Sequence, residues 1–246
     1  MSRTVGITIP AYKPDISRLN RYIKSIQELD FVDTIHIELD NASTVDICSI
    51  VGFDSMNTVE ERRGKGKAIT AGFDSLSTDV LAFADADGAT PANSLKKVIF
   101  PVQSESVPMA VGSRRHPDAD IISHQTVIRR RLGDVFALTA RQLSSASLYD
   151  YQCGAKALSA DVWDTIRPHV HESGFAFDFE LIELASRSRH EIREVPVVWD
   201  DVSESTVNPI KDSIIMAMKL YTIQRRSTDI TEIDSNTGDT ISEKHN

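Results

Sequence analysis

Cysteine is scarce in this 246-residue chain: Cys48 and Cys153 are the whole supply. They form no C-x-x-C pair, which argues against a disulfide framework or a zinc knuckle. Long apolar runs are also missing. No stretch approaches the roughly 18 uninterrupted apolar residues of a membrane span. Met1-Ser2-Arg3-Thr4 runs straight into a strand-like segment, with no signal-peptide core. The expectation is a cytosolic, reduced protein. Positive charge is in deficit, with 27 Lys and Arg against 36 Asp and Glu and a net charge of -9. That balance argues against general nucleic-acid binding, which works by neutralising phosphates. It leaves room for a small local basic site.

What is present is ordinary globular composition, 41% hydrophobic and 26% charged. The length suits one large α/β domain, or at most two small ones. Val5-Gly6-Ile7-Thr8-Ile9, closed by Pro10, reads as a buried strand. Ile16, Leu19, Ile23, Ile26 and Leu29 recur at helical spacing over 15–29. Residues 34–39 read as a second strand ending at Asp40, and 56–60 as a third. Gly64-Lys65-Gly66-Lys67 opens a helix, and 80–84 is a buried strand ending at Asp85. Pro91 suits the first turn of the next helix. Residues 107–111 are a strand ending at Gly112. The second half is more helical, with helices over 124–147, 159–167, 177–189 and 208–226. Between them lie a strand-like segment at 155–158 and a late strand at 192–199. Strand–helix alternation predicts an α/β fold, a mostly parallel sheet covered by helices. Ligands then bind beyond the carboxyl ends of the strands, where Asp40, Asp85, Asp87 and Arg114 fall.

Several constellations carry chemistry. Asp85-Ala86-Asp87 directly follows a buried strand, and two carboxylates there suit Mg2+ or Mn2+. The competing reading is a turn, since Gly88, Ala89 and Thr90 follow. Asp40-Asn41-Ala42-Ser43-Thr44 reads either as an Asx-turn or as a carboxylate for a base or ribose. Arg63 to Lys67 offers glycines and lysines at a helix start, favourable for phosphate, without the Walker A spacing. Arg114-Arg115 and Arg129-Arg130-Arg131 are arginine clusters in an acidic protein and suit a phosphate group. Asp178 and Glu180 open a helix, where they can complement its dipole. Cys153 reads as a small packed residue rather than a nucleophile. His169 and His171, two residues apart, point away from each other on a helix and read as a surface turn.

In order and spacing these pieces resemble the family 2 glycosyltransferases with a GT-A fold, above all the dolichyl-phosphate sugar synthases and their glucosyltransferase branch. The resemblance runs from residue 4 to about 226. It rests on Ile9-Pro10-Ala11-Tyr12, Asp40-Asn41-Ala42-Ser43-Thr44, Gly64-Lys65-Gly66-Lys67, Ala84 to Thr90, Gly112-Ser113-Arg114, Tyr151 to Lys156 and Phe177 to Leu181. It implies substrate contacts from Pro10, Tyr12, Lys65 and Lys67, with Asp40 on the nucleotide base. It implies Asp85 near ribose and metal, and Asp87 as the main metal ligand and a catalytic residue. Arg114, with one or more of Arg129 to Arg131 (Arg131 foremost), would hold an acceptor phosphate. Asp150, Gln152, Asp178 and Glu180 would line the sugar and acceptor site. Three places depart from the pattern: Lys13-Pro14-Asp15 for the usual Asn-Glu, Asn41-Ala42 for Asp-Gly, and Ala89 where a metal-binding Gln sometimes stands.

The resemblance implies inverting sugar transfer from a nucleotide diphosphate sugar to polyprenyl or dolichyl phosphate, with UDP-glucose ahead of GDP-mannose. The alternatives are extension of a lipid-linked glycan, which needs a base such as Asp150, Asp178 or Glu180, and a non-catalytic nucleotide-sugar binder. The expected organisation is a catalytic domain over 1–226 and a disordered acidic tail over 227–246. Within 208–226, Asp212, Lys219 and Arg226 form a polar stripe between apolar flanks. Such a helix can lie in a membrane interface, with Lys211, Lys219, Arg225 and Arg226 near headgroups on the cytoplasmic face. The other reading is that its apolar flanks pack on the domain.

Overall fold

The computed structural model describes residues 3–122, 127–200, 216 and 218–228, with backbone alone for 127–132. Strand β1 (Val5–Tyr12) buries Val5, Ile7 and Ile9 completely. Helix α1 (Ile16–Gln27) starts where the Asp15 side chain accepts the Arg18 N–H at 3.0 Å, an N-cap bond. It buries Leu19, Ile23 and Ile26 as its spacing predicts, and Tyr22 besides, while Ile16 is half-buried. Then follow β2 (Thr34–Asp40), β3 (Ser55–Val59), α2 (Lys65–Ser75), β4 (Val80–Ala84) and α3 (Ala92–Gln103). Pro91 stands just before α3, as its N-cap residue rather than inside its first turn. The second half holds β5 (Met109–Ser113), β6 (Asp120–Ile121), α4 (Val127–Leu143), β7 (Ala155–Ser159), α5 (Ala160–Ile166), α6 (Phe177–Arg187), β8 (Ile192–Pro196) and β9 (Val198–Trp199). A last helix, α7, covers 218–228.

Seven strands form one sheet in the order β3-β2-β1-β4-β7-β5-β8. All neighbours are parallel except around β7, which runs antiparallel to both β4 and β5. Helices α1 and α3 cover one face, and α2, α5, α6 and α7 the other, each over its own apolar core. The late strand predicted over 192–199 is two strands. The Val197 N–H makes the last bond to β5, at the Ser113 carbonyl (3.2 Å), and its own carbonyl accepts from Asp120, so that β9 pairs with β6.

The geometry of β7 shapes the site. The carboxyl ends of β1, β2, β4 and β5 share one edge, and β7 enters the sheet from that edge. Cys153 and Gly154 therefore arrive beside Asp85, whose N–H donates to the Gly154 carbonyl at 3.0 Å.

Helix α7 corrects part of the expectation for 208–226. Leu220 and Ile223 are buried in the second core, so that flank packs on the domain. The polar stripe also turns inward: Lys219 Nζ meets Glu172 at 2.6 Å, and Arg226 pairs with Glu180. These two cations neutralise buried and half-buried carboxylates and are not free for headgroups. Met218, Tyr221 and Arg225 remain exposed. Asp212, Lys211 and the rest of 201–215, and the tail over 229–246, lie outside the described residues. Among the described residues, no helix is long and apolar enough to cross a membrane.

Candidate active site

The loop after β4 is both a turn and a carboxylate pair. Gly88, at φ 63°, donates its N–H to the Asp85 carbonyl at 3.2 Å. Left-handed backbone of this kind favours glycine. The Ala89 N–H donates to Asp87 Oδ1 at 3.0 Å. Beneath the turn, the Tyr22 hydroxyl donates to the Thr90 carbonyl at 2.8 Å. Asp85 is half-buried and Asp87 exposed. Enough protein surrounds the Asp87 carboxyl that desolvation, followed by the Asp85 charge, raises its pKa above the ordinary value. Desolvation first, then the same two acids, push the Tyr22 phenol up as well. This end of the sheet is short of positive charge.

One described cation pairs with it directly. Lys65, the first residue of α2, places Nζ 2.9 Å from Asp85 Oδ1 and 2.9 Å from Asp178 Oδ2. Burial alone would lower its pKa, but Asp178 and Asp85 outweigh burial and hold it high. Lys67 faces solvent, and its backbone N–H donates to the Ser173 carbonyl at 3.2 Å. Gly154 closes the other side of Asp85. A Cβ there would stand 1.9 Å from Asp85 Oδ2.

Asp40, at the end of β2, is buried and occupied. Its Oδ2 accepts the N–H groups of Arg63 (2.7 Å) and Gly64 (3.0 Å), and its Oδ1 accepts Arg63 Nε at 2.8 Å. Arg63 also reaches Glu38 Oε2 at 2.7 Å. Asp40 thus fastens the loop that leads into α2. Tyr12 pairs in register with Asp40 and is exposed, with the Arg62 guanidinium 4.3 Å from its ring centre. Pro10 lies two residues earlier in the same strand, half-buried.

The wall opposite carries acids that all have partners. Asp150 is buried and takes Arg114 through Nε (2.7 Å), Nη2 (3.0 Å) and the backbone N–H (3.1 Å). The Gln152 N–H adds a fourth bond at 2.9 Å. Burial opposes its charge, but Arg114 prevails and holds the carboxyl well below the usual range. Arg114 also lies over the Trp199 ring, 5.5 Å from its centre. Asp178 is buried between Lys156 and Lys65, which overcome its desolvation and keep it ionised.

Two expectations for α6 therefore change. Asp178 and Glu180 do begin the helix, but complementing its dipole is not their principal contact. Glu180 is fully buried, with Oε2 accepting the N–H groups of His171 (3.1 Å) and Glu172 (2.7 Å) and Oε1 on Arg226. It anchors the loop before α6 to α7 and is not a free base, although burial raises its pKa. Cys153 is a packed residue as expected; burial, then Asp150, push its thiol up to about 11. His169 ends a short 3-10 turn, as a surface turn requires. The side chains of Arg129, Arg130 and Arg131 lie outside the described residues.

The structure thus brings Asp85, Asp87, Lys65, Asp178, Arg114, Asp150 and Gln152 to one sheet edge. Sequence reasoning placed Arg63 and Lys156 within motifs but gave neither a role of its own, and gave none to Trp199. A lone lysine within the apolar run Ala155 to Leu158 was a usable signal for Lys156. Nothing local marked Trp199. Among the described residues, no group of three or more His, Cys, Asp or Glu could hold a metal by itself. The donor set does fit a hard cation that is completed by substrate oxygens. Mg2+ commonly binds through one or two carboxylates plus phosphates, and Asp85 and Asp87 lack sufficient counter-charge.

A doubly covered sheet of this order, with a carboxylate pair after its fourth strand, defines a GT-A-type fold. Residues 7–166 match the model of Glycosyl transferase family 2, and the chain belongs to that family. It is 31% identical over 175 residues to a dolichyl-phosphate beta-glucosyltransferase of Saccharomyces cerevisiae, covering 67% of this chain and 52% of the relative. It is 29% identical over 163 residues to the glycosyltransferase AglD of Haloferax volcanii, covering 65% and 26%. The chain spans about half the length, or less, of these curated relatives. Among solved structures it resembles glucosyl-3-phosphoglycerate synthase from Mycobacterium tuberculosis in complex with Mn2+, UDP-glucose and phosphoglyceric acid. The TM-score is 0.65 at 16% identity, covering 92% of this chain and 80% of that one. At that identity the likeness establishes the fold.

Proposed function

We propose that the protein transfers a hexose, with inversion, from a nucleotide diphosphate sugar to a polyprenyl or dolichyl phosphate. UDP-glucose is the first donor and GDP-mannose the second. The observation that carries this reading is the state of the acids. Asp150, Asp178 and Glu180, the three candidate bases, are each buried and ion-paired. A hydroxyl acceptor needs a base to take its proton. A phosphate acceptor arrives already ionised and needs none. The similarity to the yeast dolichyl-phosphate beta-glucosyltransferase supports the same acceptor and a glucosyl donor.

Asp85 and Asp87 would hold Mg2+ or Mn2+, which supplies neutralising charge for the departing diphosphate. Lys65 adds a second positive charge beside Asp85. Arg114 keeps Nη1 free of any described partner while Asp150 grips its other nitrogens, so a rigid guanidinium edge faces the acceptor phosphate. Asp150 acts as the clamp for Arg114 rather than as a base. Holding the phosphate oxygen in line with the anomeric carbon is then the main catalytic task, and positioning of this kind can supply about 7–11 kcal/mol. Asp40, through Arg63 and Gly64, sets the loop that carries Lys65, and Tyr12 with Arg62 offers a flat surface for a base.

Association with the cytoplasmic face of a membrane belongs to the same proposal, because the acceptor lives in a bilayer. The exposed Met218, Tyr221 and Arg225 are the described part of the contact. Flotation with anionic liposomes at low salt tests it; protein that stays at the bottom of the gradient refutes it. The catalytic reading is tested with a panel of labelled nucleotide sugars, offered with polyprenyl phosphate and with polyprenyl-phosphate sugar in separate reactions. Product from polyprenyl phosphate supports it. Product from the glycosylated lipid alone makes the protein a chain extender. Donor binding with transfer to neither makes it a binder.

A further inference from the structure

Lys156 is placed where a lysine is costly. It lies in β7 between Ala155 and Ala157, fully buried, opposite Phe83 of β4. An ammonium there must be paired and hydrogen-bonded, and a well-packed apolar side chain is often no worse for stability. Its Nζ donates to the Cys153 carbonyl at 2.7 Å and to Asp178 Oδ1. The other oxygen of Asp178 holds Lys65, and Lys65 holds Asp85. Both ammonium nitrogens lie 5.3 Å from the centre of the Phe83 ring. The result is one continuous series, Lys156–Asp178–Lys65–Asp85, from the middle of the sheet to the carboxylate pair. With Asp87 it has three carboxylates against two ammoniums.

We propose that Lys156 and Asp178 are positioning residues for the cation site: they share Lys65 between two carboxylates, so that Asp85 can exchange the ammonium for a divalent cation. This rests on the reading of Asp85 and Asp87 as that site. If Lys65 had Asp85 as its sole anionic partner, the pair would close on itself and compete with the cation. Asp178 gives the ammonium a second place to rest. Lys156 keeps Asp178 ionised and immobile, so that it attracts Lys65 without drawing it away altogether.

The experiment is Mn2+ binding to the full chain without nucleotide, followed by electron paramagnetic resonance, in a double-mutant cycle. Asp178→Asn should weaken Mn2+ binding about tenfold, within the range of coupling between residues in contact. In a Lys65→Met background the same substitution should change it less than about twofold, because the intermediary is gone. An equal effect in both backgrounds, or no effect in the parent, overturns the proposal. If Asp178→Asn does not fold, the volume-conserving pair Lys156→Met/Asp178→Asn replaces it. That variant leaves Lys65 with Asp85 alone and should show the same weakening; unchanged affinity overturns the proposal. Lys65→Met itself should bind Mn2+ more tightly than the parent. If no variant, Lys65→Met included, binds Mn2+ at all, the cation-site reading fails, and the inference falls with it.

Discussion

The acids after β4 and the acids of the opposite wall are chemically alike and are treated oppositely. Asp85 and Asp87 have one described ion pair between them, Lys65 on Asp85, with Lys65 and Arg18 acting on Asp87 only at longer range, and they stand on a turn that leaves Asp87 exposed. Asp150, Asp178 and Glu180 are each buried against an arginine or lysine, with further N–H donors on Asp150 and Glu180. A carboxylate buried with a matched cation is held still, and its ordinary effect is to fix structure. One left with surplus negative charge can attract a cation from solution. The difference separates acids that bind from acids that build.

The sharpest way to break that division is to neutralise one acid of each kind. Asp87→Asn should lower transfer by about 10²–10³, the scale of one lost electrostatic contact in a transition state, with the fold unchanged. Gly154→Ala should act similarly from the other side, since its methyl group would displace the Asp85 carboxylate from 1.9 Å away. Steady-state rates at saturating Mn2+, beside circular dichroism, check both. Near-normal turnover of Asp87→Asn would remove that residue from the chemistry.

On the other wall the expected loss is stability. Arg226→Ala leaves Glu180 buried without its cation, and breaking a buried pair typically costs about 3–5 kcal/mol. Part of the Arg226 side chain reaches solvent, so the lower end of that range is expected. Leu220→Ala should cost about 2–5 kcal/mol through the cavity it leaves. Urea unfolding measures both. Truncation at Asn208 therefore removes core contacts along with any membrane contact, and it cannot test membrane binding cleanly. If Arg226→Ala is as stable as the parent, Glu180 does not belong with the acids that build.

A smaller effect is expected at Arg114, which joins the two regions. Arg114→Ala would strand Asp150, so Arg114→Lys is the better probe: it keeps the charge but loses the planar fork. The acceptor KM should rise more than the donor KM. A rise confined to the donor would assign Arg114 to the diphosphate.

Much of the first half was legible because its signals are local. Strand β4 is an unbroken apolar run closed by an aspartate, β1 is mostly apolar though it runs on past Pro10 to Tyr12, β2 carries His36 and Glu38 among its apolar residues before Asp40, and α1 carries its own cap and period. The D-x-D pair was visible for the same reason. What was not legible depends on pairing across the chain. The antiparallel direction of β7 follows from its neighbours, not from Ala155 to Ser159 themselves. The partner of Lys65 is Asp178, on an element far along the chain, and neither residue's surroundings in sequence point to the other. The seven-residue stripe of Lys219 and Arg226 was real, but its direction was set by Glu172 and Glu180. A polar stripe meets buried acids as readily as it meets water, and periodicity alone does not distinguish them.

The smallest effect sets Asp87 against Asp150 by sign. Asp150 has its pKa lowered on folding, mainly by Arg114 working against burial. Its contribution to stability is full above the ordinary carboxyl value of about 3.9 and is lost as pH falls through the depressed folded value. Asp87 has its pKa raised, by desolvation and then by Asp85. The folded protein therefore binds the Asp87 proton more tightly than the unfolded chain does. Stability from this group is greatest below about pH 3.9, falls as pH climbs through the raised value, and stays reduced at neutral pH. Asp87→Asn removes that penalty. Without divalent cations it should be slightly more stable than the parent at pH 7, and the gap should close as the pH approaches 4. Urea titrations across that range, in chelator, measure the gap. A variant less stable than the parent at pH 7 would mean that Asp87 is held by a cation within the protein, as Asp150 is.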